Sequence, residues 1–525
     1  MWVDYGYSLG FPRLIDEALA ERAFELDNVK IRAALADTEP HVLRADPARE
    51  HFIYNSWHLS AAERKHHDRG ACSYIPSSLG EIPGMYRQGP ADRPDIAFVQ
   101  VTPMDKDGYF NFGASIAYQK ALCDAAATVV LEVSASQPWV NGGRDEVIHI
   151  SRVDHVVENT KYALAERPDP PVKKTDEMIA GYVASLIEDE ATIEIGIGAI
   201  PTAIANLLMN SGLKDLGVHS GSITDGVVDL IKAGIVTCAK KSLHPGKVVL
   251  TTLHGTRKLY DFVDHNPMIA GFSCDYTHAR DVIAQNRTQI CINNALRVDL
   301  KGQVCSESVG ARQISGTGGQ LDWIRGAHAS PGGKAITCLY STYTDGEGQR
   351  KSNIVPTLEL GDMVTVPATD ISWIVTEFGA VNLRGQTTWQ RAKLLISVAH
   401  PDFRAELEEA ARRINVMLAG ARRPGSTGSE REAPPTARQS EFTSGIAVFS
   451  GKPLLATTQA IPRASSTART TTVAESISCA DISSTFLRKA HANLLDGSAK
   501  PTVPTPSYPN ASGRPAIGPV PPPSV

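Results

Sequence analysis

Short apolar runs alternate with amphipathic segments over residues 1–421, and this alternation restricts the chain to few fold classes. The runs are rich in β-branched residues and lie at 95–101, 127–133, 191–197, 247–253, 288–295, 334–339 and 371–377. Amphipathic segments, such as 175–189 and 201–212, lie between several of them. Apolar strands that alternate with helices form βαβ units with mainly parallel sheets. The pattern therefore predicts an α/β fold.

One segment rich in proline and charge, residues 164–175 (LAERPDPPVKKT), interrupts the pattern and is typical of a linker. It predicts two open α/β domains with mainly parallel sheets, at 1–170 and 175–421. The length of 525 residues allows two to four domains, and 42% hydrophobic with 21% charged residues is typical of a soluble protein.

The composition changes abruptly near Arg423. Residues 422–525 hold 14 of the 33 prolines and carry 11 Lys and Arg against 6 Asp and Glu, so this tail has a charge of +5. Stretches without hydrophobic periodicity bury too little apolar surface to offset chain entropy. We therefore predict a disordered tail at 422–525. Its PSYP and PPP strings leave open a scaffold that recruits partners.

The other residues carry a charge of -10 within a total of -5, which argues against nucleic acid as a partner. No run approaches the 18 or so apolar residues of a membrane span, and the N-terminus lacks the pattern of a signal peptide. Eight widely spaced cysteines without a CxxC pair favour a reducing cytoplasm. The adjacent His66 and His67 do not form a metal-binding spacing, so no metal site is predicted.

Three segments rich in glycine are the candidate sites. In GIGAIP (196–201), a strand runs into a helix start whose free N–H groups suit a phosphate or carbonyl oxygen. The alternative for this segment is an ordinary tight turn. SGTGGQLD (315–322) indicates either close approach to a ligand or a surface loop. In LGVHSGSITDG (216–226), His219 and Asp225 are candidates for acid–base work, although His219 also suits a structural hydrogen bond and Asp225 a helix cap.

These segments together resemble the acetyl-CoA hydrolase/transferase family, which includes 4-hydroxybutyrate and acetate CoA-transferases. The resemblance covers about 1–415 in register and includes GIGAIP, LGVHSGSITDGVVDLIKAGIVT, GTRKLYDFVDHNP, INNALRVDLKGQV, SGTGGQLDWIRGA and VTEFGAVNLRGQT. The family pattern also leads us to expect a short segment ahead of WVDYGYSLGFP.

The resemblance implies two CoA-transferase domains with acyl-CoA and a small carboxylic acid as substrates, no organic cofactor, and a homodimer. In the family, a glutamate attacks the thioester and then carries CoA as a glutamyl thioester. By motif match, CoA would contact Gly196, Ile197, Gly198, Ala199 and Ile200, with Asn266 and Leu296 as further candidates. Gly319 would offer a backbone N–H near the thioester.

The sequence departs from the family at the nucleophile. Where the family has His-Ser/Thr-Glu-Met, this chain has His219, Ser220, Gly221 and Ser222, so Gly221 occupies the position of the glutamate. The side chain of glycine is a single hydrogen atom, so residue 221 cannot supply the nucleophile that attacks the thioester. Three hypotheses follow: another carboxylate, such as Asp225, Glu307 or Glu377, takes over transfer or hydrolysis; the chain binds CoA esters with little turnover; or it is a decayed copy. For Glu377, a buried structural role is the favoured alternative.

Overall fold

The computed structural model describes residues 1–89, 92–414 and 416. Its first half contains nine strands: β1 (Trp2–Tyr5), β2 (Val29–Ala33), β3 (Phe52–Ser56), β4 (Cys72–Tyr74), β5 (Ile96–Val101), β6 (Tyr109–Asn111), β7 (Thr128–Val133), β8 (Val147–His149) and β9 (His155–Glu158). Its helices are α1 (Arg13–Glu21), α2 (His41–Ala45), α3 (Ala61–His67), α4 (Ile82–Gln88) and α5 (Gln119–Ala125), with short 3-10 turns at Ser8–Gly10, Ala23–Glu25, Leu79–Glu81 and Ile150–Arg152.

Seven of these strands form one sheet in the order β4-β3-β2-β1-β5-β7-β9, and every neighbouring pair is parallel. All six residues of β5 are buried, as expected for a parallel strand covered on both faces. The pattern of apolar runs missed β1 to β4 because they are short and include charged or polar residues. Asp4 of β1 is paired in register with Arg32 of β2, whose Nε lies 2.8 Å from both carboxylate oxygens.

The second half has strands β10 (Thr192–Ile195), β11 (Gly217–Val218), β12 (Ser222–Ile223), β13 (Val248–Leu250), β14 (Thr252–Leu253), β15 (Ile269–Gly271), β16 (Gln289–Asn294), β17 (Arg297–Asp299), β18 (Val304–Cys305), β19 (Ser308–Val309), β20 (Arg312–Gln313), β21 (Lys334–Cys338), β22 (Thr342–Thr344), β23 (Arg350–Ser352), β24 (Ile354–Val355), β25 (Trp373–Thr376) and β26 (Gly379–Asn382). Its helices are α6 (Lys174–Ala184), α7 (Ala199–Leu208), α8 (Asp225–Lys232), α9 (Arg257–Val263), α10 (Cys274–Thr277), α11 (Arg280–Ile283), α12 (Gln320–Ala329), α13 (Thr388–Ser397) and α14 (Pro401–Arg413).

Its main sheet has the order β11-β10-β16-β21-β25-β26 and is parallel except for the last pair. The α/β fold with mainly parallel sheets is therefore confirmed. The seven-stranded sheet lies within 1–170 and the six-stranded sheet within 175–421, although the domain boundary itself stays a prediction. The predicted disordered tail, 422–525, lies outside the described residues, among which no helix is long and apolar enough to cross a membrane.

Hydrogen bonds join the two halves of the chain at the glycine segment 315–322. Leu79 N donates to Gly318 O at 2.9 Å, and Arg64 Nε donates to Ile314 O at 2.6 Å. These two bonds hold the loop that contains Gly319 against the first half of the chain. A separate bond, from Ile116 N to Thr251 O at 3.0 Å, also joins the two halves.

One buried carboxylate fastens a helix to the first sheet. Glu132 of β7 accepts hydrogen bonds from Leu14 N at 2.9 Å and Ile15 N at 3.0 Å, in the first turn of α1, and Pro12 at the cap has no side-chain acceptor. Gln100 Nε2 and Asn159 Nδ2 donate to its other oxygen. Glu132 therefore provides from a distance the acceptor that a helix N-terminus normally receives from its own cap.

We expect Glu132→Gln to lower the free energy of unfolding by about 1 to 3 kcal/mol. The glutamine N–H₂ group replaces one carboxylate oxygen and cannot accept the hydrogen bonds that this oxygen accepted. Urea unfolding followed by circular dichroism measures the loss. The matched control is Glu158→Gln, an exposed position on the adjacent strand β9, which should change little. Equal effects of the two variants would contradict the capping role.

Candidate active site

A cavity of about 350 Å³ lies between the two halves, where the three glycine segments meet. Its walls include four of the residues that the sequence singled out, Gly196, Ile197, Gly221 and Gly319. The first half contributes Tyr7, Leu35, His58 and Leu79. Segments that are more than 100 residues apart in the chain therefore share one site, which we name the central cavity.

A second, mostly apolar cavity of about 380 Å³ lies on the other side of the first glycine segment. Ala199, Ile200 and Leu296, all predicted to contact CoA, line it together with Arg297 and the two tyrosines Tyr340 and Tyr343. Asn294 lines both cavities. The predicted CoA residues are therefore divided between two adjoining cavities.

The glycine turn 196–200 forms the wall between these cavities. Gly198 has φ +119°, a conformation that residues with a side chain rarely adopt. Helix α7 starts at Ala199, so Pro201 is its third residue. The N-terminus of α7 lies beside both cavities, and the free N–H groups of a helix N-terminus suit a ligand with an anionic or carbonyl oxygen.

Gly221 borders the central cavity beside a histidine and a tryptophan. A Cβ atom at residue 221 would lie 3.0 Å from His278 Nε2 and 3.5 Å from Trp323 Nε1. A Cβ at Gly319 would lie closer still, 2.3 Å from His278 Cδ2 and 3.1 Å from Trp323 Nε1. Two glycines on separate segments thus leave space for one imidazole and one indole at the centre of the site.

The loop with Gly319 is held by Glu307, one of the carboxylates considered as a replacement nucleophile. Glu307 is buried and accepts from Tyr74 Oη at 3.0 Å, Gln313 Nε2 at 3.1 Å and Thr365 Oγ1 at 3.0 Å. Thr317 Oγ1 of the loop also donates to it, at 3.2 Å. With these donors satisfying its oxygens, Glu307 shapes the loop rather than facing the central cavity.

The predicted acid–base pair does not meet in the cavity. His219 is buried and donates through Nε2 to Thr277 O at 3.1 Å, the structural alternative that the sequence left open. Asp225 does not cap α8, because Thr224 takes the cap position and Asp225 is the first helical residue. Its carboxylate instead accepts from Thr256 N at 3.2 Å and Oγ1 at 2.8 Å, at the start of α9.

Two further candidates lie away from the central cavity. Glu377 accepts from Ser341 N at 3.0 Å and Ser341 Oγ at 2.6 Å, in agreement with the structural alternative. Asn266 donates through Nδ2 to Phe262 O at 2.9 Å and accepts from Met268 N at 2.9 Å. Asn266 lines neither cavity, so its position does not support a contact with CoA. That contact stays a prediction.

The sequence analysis missed several lining residues with polar groups, and those that matter most for the chemistry are His58, Glu194, His254, His278 and Trp323. Glu194 offered a signal, since it is the one charged residue in the apolar run ATIEIGI that leads into the glycine turn. The others had none, because each lies in a separate segment and only the fold brings them together.

Burial keeps the titratable groups of the cavity uncharged near pH 7. It lowers the pKa of His58 and His278 to about 4 and that of His254 to about 3, so all three imidazoles are neutral. It also raises the pKa of Glu194 to about 8, although Ile292 N and Asn293 Nδ2 donate to its carboxyl. The described residues contain no metal-binding cluster. A neutral, sheltered cavity of this kind suits an uncharged thioester.

The raised pKa of Glu194 predicts a pH dependence of stability. Between the ordinary value of 4.5 and about 8, the folded chain keeps a proton that the unfolded chain releases. The wild type should therefore lose stability with rising pH relative to Glu194→Gln, by up to about 1.4 kcal/mol per pH unit. Chemical unfolding of both proteins at pH 5, 6, 7 and 8 measures the difference. Parallel profiles would show that Glu194 is ionised in the folded state.

Comparison with known proteins matches both halves to one family. Residues 1–166 match the acetyl-CoA hydrolase/transferase N-terminal domain and residues 255–411 the C-terminal domain. The chain is 40% identical over 416 residues to butyryl-CoA:acetate CoA-transferase of Anaerostipes caccae, covering 79% of this chain and 93% of that one. It is 43% identical over 357 residues to 4-hydroxybutyrate coenzyme A transferase of Clostridium kluyveri, covering 68% and 81%.

A solved structure agrees with these relatives. The 4-hydroxybutyrate CoA-transferase from Porphyromonas gingivalis matches with a TM-score of 0.66 and 35% identity, covering 79% of this chain and 94% of that one. Sequence and fold point the same way, and the chain belongs to the acetyl-CoA hydrolase/transferase family of enzymes.

Proposed function

We propose that this protein acts on short-chain acyl-CoA thioesters of the acetyl-CoA or 4-hydroxybutyryl-CoA type and transfers CoA to a carboxylic acid or releases it to water. The observation that carries the proposal is the pair of adjoining cavities separated by the glycine turn 196–200. The central cavity would hold the thioester, and the apolar cavity would hold an extended part of the CoA moiety. Asn294, which lines both, marks the passage between them.

The step after thioester binding depends on Gly221. A family enzyme with glutamate at this position would form an acyl-glutamyl anhydride and then a glutamyl-CoA thioester, and Gly221 can form neither. The three carboxylates considered as replacement nucleophiles all accept structural hydrogen bonds; they are Asp225, Glu307 and Glu377. This observation favours a second candidate function, a CoA-ester-binding protein with little turnover, a decayed or repurposed member of the family.

Incubation of the purified protein with acetyl-CoA, with and without butyrate, separates these possibilities. Formation of butyryl-CoA without free CoA indicates transfer, and free CoA in the absence of butyrate indicates hydrolysis. Acetyl-CoA that binds in calorimetry but stays intact indicates the binding function. Absence of both binding and turnover would overturn the proposal.

We further propose a homodimer that needs no organic cofactor, as the family resemblance implies, and that lies in the reducing cytoplasm favoured by the cysteine pattern. Light scattering after size-exclusion chromatography tests the dimer, and a single peak at the mass of one chain would contradict it.

We expect Gly221→Glu to raise acetyl-CoA:butyrate transferase activity by at least about 100-fold, the lower end of what a positioned catalytic group contributes. The new Cβ stands 3.0 Å from His278 Nε2, so the imidazole must give way by a few tenths of an ångström. Gly221→Gln introduces the same bulk without a nucleophile and should gain nothing. Failure of the glutamate variant to gain activity while it still binds acetyl-CoA would show that more of the transferase site than residue 221 is lost.

A further inference from the structure

The ring of His278 lies beside the place that a side chain at residue 221 would occupy. Its Nε2 and Cε1 are 3.0 Å and 3.2 Å from the position of a Cβ on Gly221, and its Nε2 is 2.7 Å from that of a Cβ on Gly319. The Nε2 edge of the imidazole therefore fits between two glycines, both of which line the central cavity. A residue larger than glycine at 319 would displace the ring.

Contacts on the opposite edge of the ring fix its orientation. Nδ1 lies 2.9 Å from Thr277 Oγ1, a buried hydroxyl that also contacts Thr251 Oγ1. The indole of Trp323 packs on the ring with centroids 5.0 Å apart. If Nδ1 carries the proton and donates it to Thr277 Oγ1, Nε2 is left as an acceptor toward the cavity.

The surroundings keep this imidazole in its neutral form, which has an electron pair that can take a proton, while the same burial makes it a weaker base than a free imidazole. Burial lowers its pKa to about 4, and the backbone hydrogen bond to Cys274 only partly opposes this effect. His278 is therefore neutral near pH 7. A neutral imidazole within reach of a bound water is the common form of a general base.

Trp323 offers the complementary group. Its Nε1 lies 3.5 Å from the position of a Cβ on Gly221 and 3.1 Å from that on Gly319, on the same side of the cavity as His278 Nε2. An N–H donor beside the base is where a developing negative charge on a carbonyl oxygen could be stabilised.

We propose that His278 is the general base of a direct hydrolysis in which water, and no enzyme carboxylate, attacks the acyl-CoA thioester. The proposal rests on the proposed function, because it requires that the central cavity holds the thioester. It also assigns the activity to hydrolysis rather than transfer.

The atoms balance with water as the only co-reactant. A water oxygen forms a bond to the thioester carbon while its proton moves to His278 Nε2, and the carbonyl oxygen becomes an oxyanion that accepts from Trp323 Nε1–H. The oxyanion then collapses, the carbon–sulfur bond breaks, and the imidazolium returns the proton to the CoA thiolate. The products are a carboxylic acid and CoA, and His278 is neutral again.

The test is the hydrolysis of acetyl-CoA by His278→Gln, which fills a similar volume without a titratable ring. We expect kcat to fall by about 10² to 10⁴-fold, the contribution typical of a general base, with the affinity for CoA little changed. His244→Gln is the matched control, since His244 bonds Tyr276 Oη through Nε2 and lies outside both cavities. It should hydrolyse acetyl-CoA at the wild-type rate.

A second variant separates loss of a base from loss of structure. In His278→Ala, added imidazole should restore part of the hydrolysis, and it should not accelerate the wild type. A purely structural histidine would not be replaced in this way. Failure of imidazole to restore activity in a variant that still binds CoA would overturn the proposal.

The outcomes also separate this proposal from the proposed function. Wild-type hydrolysis that survives in His278→Gln overturns the general base and leaves acyl-CoA turnover standing. An acetyl group found on the wild-type protein by rapid-quench mass spectrometry overturns direct attack by water. If the wild type turns over no acetyl-CoA, with or without butyrate, both the general base and the proposed turnover are overturned. If it turns over acetyl-CoA only when butyrate is present, direct hydrolysis is overturned and CoA transfer stands.

Discussion

The site depends on the absence of side chains at two glycines that lie about a hundred residues apart. A Cβ at Gly319 would overlap the ring of His278 at 2.3 Å, and one at Gly221 would lie 3.0 Å from the same ring. The close approach is possible only because Glu307 holds the loop at 317 and because Leu79 N pairs with Gly318 O across the two halves. The contacts that pack the two halves together therefore also shape the central cavity.

The electrostatics of the central cavity follow from its position between two sheets. Three imidazoles and one carboxyl face it, and burial disfavours the charged form of each. One charged group that contacts this lining is Arg167, whose Nη1 lies 3.2 Å from His254 Nδ1 and whose guanidinium is paired with Asp37.

Much of the fold was predictable from local pattern. All seven apolar runs named from the sequence contain strands, including β5, β10 and β16, because a strand buried on both faces must be apolar along its length. The first four strands were missed because β1 to β4 are short and include charged or polar residues, such as Asp4, whose partner Arg32 lies on the neighbouring strand. The three predicted glycine segments meet at the central cavity, whereas Asp225 and His219 are held away from it by hydrogen bonds that spacing does not reveal.

The sequence alone determined the α/β class, the glycine turn at 196–200 and the substitution of glycine at residue 221, because periodicity and motif identity are local properties of the chain. Only the tertiary structure decided what surrounds Gly221. His278 follows Gly221 by 57 residues, and Trp323 follows it by 102, so no spacing rule connects them. Their meeting depends on how the C-terminus of α10, the start of α12 and the segment 219–221 pack together. His278, which we propose acts in the absence of the family's glutamate, is therefore identified from the tertiary structure and not from the sequence.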